Sequence, residues 1–79
     1  MYLIEVYAVD RESGTREKLA FRWGCHGNAV ERVHEDGHHS SACFASSIGG
    51  AFDKVVVACS LVGLEVTSGI VSRERVLNG

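Results

Sequence analysis

Residues 25 to 43, "CHGNAVERVHEDGHHSSAC", hold two of the three cysteines and all four histidines of a 79-residue chain. Thiolate and imidazole are the ligands zinc prefers, and a zinc site needs about four of them, converging from short knuckles or from i, i+4 pairs on a helix. Cys25, His34, His39 and Cys43 supply a two-cysteine, two-histidine set, with His26 beside the first and His38 as an alternative to His34. His39 and Cys43 stand one turn apart if both begin a helix. The spacing is not diagnostic, because there is no C-x-x-C knuckle and the His34–His38 interval lies outside any finger pattern. The competing reading makes "HEDGHH" a solvated loop and Cys43 a small core hydrophobe. We favour the loop and expect no cofactor, with zinc as the alternative.

The same residues raise thiol catalysis, which needs a thiolate activated by a base or a helix N-terminus. Cys43 has His39 within a helical turn, and Cys25 adjoins His26. Adjacent residues usually point apart, however, and so short a chain offers little material for a substrate cavity of ~300 Å³ or more. We expect no enzyme. Cys59, inside an apolar stripe, reads as core. "SIGGAF" lacks the spacing and the lysine of a phosphate loop.

The elements that would position these groups are constrained by the totals. A chain of this length has room for one domain and one core, and we assign residues 1–79 to a single domain. With 46% hydrophobic and 23% charged residues it is not disordered. A net charge of −2 gives no bulk electrostatic grip on nucleic acid. Three cysteines rule out a complete disulfide framework and point to a reducing compartment. "MYLIEVYAVD" is not a signal peptide, and no run reaches the ~20 apolar residues of a membrane span. The expectation is a complete cytoplasmic protein.

"YLIEVYAV" is strand chemistry, "DRESG" a turn, and "TREKLAFRWG" a second strand. Pairing Asp10 with Thr15 sets Val6 opposite Leu19, Ile4 opposite Phe21 and Tyr2 opposite Trp23, all on one face. A short helix from about Ala29 to Glu35 fits next, capped by Asn28 and Glu31, and a third strand fits nearly as well. Ser40 or Ser41 offers an N-cap for a long helix, because Phe44, Ile48, Ala51, Phe52, Val55, Cys59 and Val62 form one stripe stopping at Gly63. Gly49, Gly50 and the strand-like "KVVVAC" argue for a handover near Asp53; we favour the continuous helix. "LEVTSGIV" reads as a further strand, with a turn or bulge at Ser68-Gly69. "SRERVLNG" is a polar end, a last strand or a frayed turn. The expected fold is α+β: a small antiparallel sheet, made of the N-terminal hairpin and a C-terminal strand, packed on one long helix.

The face of the hairpin turned away from that helix carries Leu3, Glu5, Tyr7, Val9, Lys18, Ala20 and Arg22. Apolar groups there either contact another protein, or a second copy sheet to sheet, or are covered by Val33, Ile70 or the tail. The basic residues Arg16, Lys18, Arg22, Arg32, Arg73 and Arg75 are interleaved with Glu5 and Glu17, which favours a solvated face over phosphate binding. The leading expectation is a non-enzymatic module that binds a larger protein or complex through Leu3, Glu5, Tyr7, Lys18 and Arg22, as an inhibitor or adaptor. Phage-type anti-defence proteins such as anti-CRISPRs fit that size and simplicity.

Overall fold

The computed structural model describes residues 1–74. Strand β1 (Tyr2–Asp10) turns into β2 (Arg16–Trp23) through a loop organised by Asp10. The Asp10 N–H donates to the Thr15 carbonyl at 2.8 Å, its carbonyl accepts from the Gly14 N–H at 2.8 Å, and its carboxylate accepts from the Glu12 and Ser13 N–H groups. Gly14 takes φ +71°, a conformation open to glycine at little cost. The register is the one expected from the sequence, with Val6 opposite Leu19, Ile4 opposite Phe21 and Tyr2 opposite Trp23.

The stretch the sequence left open is strand. β3 (Ala29–Val33) runs antiparallel to β2, setting Val30 opposite Trp23 and Val33 opposite Ala20. A turn with Gly37 at φ +89° leads to β4 (His39–Phe44), which pairs back onto β3. This corrects the expected start of the helix at Ser40 or Ser41. The cap is Ser47, in extended conformation, whose Oγ accepts from the Gly50 N–H at 3.1 Å. Helix α1 therefore spans Ile48–Leu61 and runs through "KVVVAC" without a break. Two members of the expected stripe drop out: Phe44 stands in β4, 63% exposed, and Val62 is the C-cap, 72% exposed. The helix stops at Gly63, φ +82°, as expected.

β5 (Leu64–Arg73) pairs with β1 at the sheet edge, giving the antiparallel order β4-β3-β2-β1-β5. Tyr7 faces Ser68 and Ala8 faces Val66, so Thr67 is the extra residue of a bulge, and its hydroxyl donates to the Tyr7 carbonyl at 3.2 Å. The irregularity expected at Ser68-Gly69 thus lies one residue earlier. Of the polar end, Ser72 and Arg73 complete β5, and residues 75–79 lie outside the described residues.

Among the described residues the fold is α+β in two layers, five strands and one helix. One face of the sheet buries Ile4, Val6, Ala8, Leu19, Phe21 and Val30 against Ala51, Val55 and Cys59 of α1. Each large aliphatic side chain buried in this way contributes roughly 1.5–3 kcal/mol. Trp23 packs at the margin, and its indole N–H donates to the Ala45 carbonyl at 2.9 Å, fixing the connection between β4 and α1. Among the described residues no helix is long and apolar enough to cross a membrane.

Candidate functional site

The four residues that could have ligated zinc do not converge. Cys25 lies in the β2–β3 connection with its Sγ 2.8 Å from Met1 Sδ. His34 begins the β3–β4 turn, while His39 and Cys43 sit near opposite ends of β4. Four residues along a strand span ~13 Å, against the ~6 Å of a helical turn, so the strand removes the proximity a helix would have supplied. The bulge in β4 also places the two on different faces: His39 pairs with Val33, and Cys43 pairs with the buried Val30. Among the described residues no group of three or more His, Cys, Asp or Glu side chains could hold a metal ion. The cysteine–histidine pairs are likewise not joined: among the described residues no cysteine hydrogen-bonds to a histidine. Burial pushes the Cys43 and Cys59 thiols up, away from thiolate.

His34 and His38 instead belong to the β3–β4 turn. His34 and His38 stack face to face, centroids 4.1 Å apart and planes 2° from parallel. His34 Nε2 lies 2.7 Å from Ser40 Oγ, and His38 Nδ1 lies 3.0 Å from Asp36 Oδ1. Parallel rings aim their nitrogens side by side and cannot direct two lone pairs at one ion. Burial, and then the positive ends of His38 and Arg32, hold the His34 pKa below its ordinary value. Hydrogen bonds from the His38 backbone and ring hold Asp36 below the usual carboxylate range. Where this turn parts from β2 there is an open, charged recess of about 850 Å³, lined by Arg16, Glu17, Lys18, Arg32 and Glu35 among others. No cysteine lines it.

The five residues assigned to a binding surface do come together. The β1–β2 register places Leu3 opposite Arg22, Glu5 opposite Ala20 and Tyr7 opposite Lys18, all on the face away from α1. Lys18 Nζ sits 2.8 Å from Glu5 Oε2 and 5.8 Å from the centroid of the Tyr7 ring. The hydrogen bond to Glu5 raises the Lys18 pKa. A second charged group flanks the first: Glu31 Oε1 is 3.1 Å from Arg22 Nε and 2.9 Å from His26 Nδ1. The His26 hydrogen bond leads in lowering the Glu31 pKa, with Arg22 adding to it.

Val33 and Ile70 also belong to this face, opposite Ala20 and Glu5. They lie in the same sheet layer as Tyr7 rather than over it, and Tyr7 and Ile70 remain 41% and 57% exposed. Sequence reasoning missed Glu31 and His26 as part of this surface, although reading 29–33 as strand would have aligned Glu31 with Arg22. Comparison with family models, curated proteins and solved structures found no match.

Proposed function

We propose that the chain is a non-enzymatic protein-binding module, of inhibitor or adaptor type, that docks the open face of its sheet onto a larger protein. One observation carries this reading: Tyr7 and Ile70 stand exposed on a face that no described element covers, which also carries Leu3, Ala20 and Val33. A solvated sheet face normally carries polar side chains in alternation with the buried ones. Here apolar groups alternate with ion pairs instead, and exposed apolar side chains beside charges are a common feature of contact surfaces. Tyr and Arg are enriched among the residues that dominate binding energy. The Lys18–Glu5 and Arg22–Glu31 pairs hold long side chains in place before a partner arrives, which lowers the entropy lost on docking. An anti-defence role of the anti-CRISPR kind is one setting for such a module, suggested by size alone.

The test is to recover the partner with tagged protein in chelator-containing buffer, identify it, and measure binding with purified components. Tyr7→Ala combined with Lys18→Glu should weaken binding at least tenfold. Leu61→Ser, on the opposite layer and 82% exposed, should leave binding unchanged. Equal binding by the wild type and the sheet-face variant would end the proposal.

A further inference from the structure

Among the described residues β5 is an edge strand, paired with β1 alone, so a row of its main-chain N–H and C=O groups faces outward. Natural sheets protect such edges with lysine, proline, bulges or very short strands, because an open edge recruits another strand. The bulge at Thr67 breaks the first part of this edge. Beyond it, "SGIVS" from Ser68 to Ser72 carries neither charge nor proline, and Ile70 and Val71 stand 57% and 42% exposed. The opposite edge, β4, is only six residues long and its pairing is interrupted between Val30 and Glu31.

We propose that two copies of the chain pair β5 to β5, antiparallel across a two-fold axis at Ile70, into one continuous sheet with both helices on the same side. In this register Ile70 faces its own copy, Gly69 faces Val71, Ser68 faces Ser72, and Thr67 faces Arg73. A two-fold axis between antiparallel strands must pass through a residue and its own copy, so neighbouring registers centre on Gly69 or Val71. Centring on Gly69 runs the bulged Thr67 against Val71. Centring on Val71 brings Arg73 against Gly69 and Glu74 against Ser68, using the run less fully. Only the Ile70 register superposes the whole regular, uncharged run on itself.

Side chains agree on both faces. On the open face the two Ile70 side chains meet, with Cβ atoms ~5 Å apart. On the helix face the Phe52 ring already fills the space over Gly69, where a Cβ would meet its Cε2 at 2.5 Å. The Val71 of the second copy, opposite Gly69, then seats beside that ring. A foreign strand would satisfy the main chain equally, but the match of this run to its own reverse selects a second copy. The pairing does not depend on the docking function, and it places both open faces on one side of the enlarged sheet.

Sedimentation over a concentration series tests it with the protein alone. The wild type should reach twice the 8.5 kDa mass of one chain. Ile70→Lys sets like charges against each other on the axis and should sediment as one chain throughout, with the unfolding midpoint that the wild type shows when diluted to single chains, because the side chain is exposed in one copy. Amide exchange over residues 68–72 should be at least tenfold faster in that variant. A wild type that stays a single chain at millimolar concentration overturns the proposal, and so does a dimer that Ile70→Lys leaves intact.

Discussion

The ring of Phe52 in α1 lies on Gly69 of β5, so closely that a Cβ at position 69 would stand 2.5 Å from Cε2 and 2.7 Å from Cζ. The same Cβ would be 3.3 Å from the Glu5 carbonyl oxygen. Glycine is a poor strand former, and at this place it is the sheet's way of accepting a helix-borne aromatic ring. The contact ties α1 to the edge strand and so couples the two layers where the sheet is least supported.

Gly69→Ala is accordingly expected to destabilise the fold, although alanine suits a strand better than glycine. Overpacking of this kind costs about 1–3 kcal/mol. Phe52→Leu removes the clashing ring atoms, so the double variant should recover part of the loss that Gly69→Ala causes alone. Urea denaturation of the four proteins in the cycle measures the coupling. Additive effects of the two substitutions would mean that the ring does not rest on Gly69.

The start of the helix gives a second expectation. Ser47→Ala should cost about 1 kcal/mol, because the Oγ that accepts the Gly50 N–H is lost. Ser41, one of the two caps expected from the sequence, is exposed in β4, and Ser41→Ala should change stability by less than about 0.5 kcal/mol. Chemical denaturation of the two variants distinguishes the caps.

That contrast shows what the sequence could express. The β1–β2 register was legible because six large apolar residues fall on one face only when Val6 opposes Leu19. The stripe Ile48, Ala51, Phe52, Val55 and Cys59 was legible because burial follows helical spacing. β4 was not, for a physical reason: it is short, lies at an edge, is interrupted by a bulge and leaves Phe44 exposed, so it shows no alternation. Phe44 stands four residues before Ile48 and extends the helical stripe by coincidence. That Leu3, Tyr7, Lys18 and Arg22 share one face was legible from the hairpin alone, since it needs only the β1–β2 register. Its β3 part, Glu31 and Val33, waited on a choice between helix and strand that five residues cannot make.

A third expectation concerns pH. The folded state holds His34 below its ordinary 6.5, by burial first and then by His38 and Arg32, with Asp36 opposing them and His39 adding to the shift. A histidine whose pKa is lowered on folding stabilises the fold fully above its unfolded value, and that contribution is lost as pH falls towards the folded value. Stability should therefore decline as pH falls through and below the ordinary 6.5, and His34→Gln should flatten the decline. Imidazole NMR shifts should show His34 titrating at lower pH than a histidine in a short peptide. A midpoint at or above the peptide's would contradict the packing of this turn.

The last expectation returns to the soft ligands. Zinc binding by Cys25, His34, His39 and Cys43 would require β4 to become helical, bringing His39 and Cys43 within one turn. That change would give up the pairing of β4 with β3, including Cys43 against Val30 in the core margin. Zinc at one equivalent should therefore leave the unfolding midpoint where it is, and chelator should do the same. Cys59, 2% exposed, should resist alkylation until the chain unfolds, while Cys25 and Cys43, which are half-buried, react earlier. Native mass spectrometry reads the metal and the alkyl adducts together. A zinc ion retained on the intact chain and shielding Cys25 and Cys43 from the reagent would show that the strand pairing of His39–Phe44 is not the stable state.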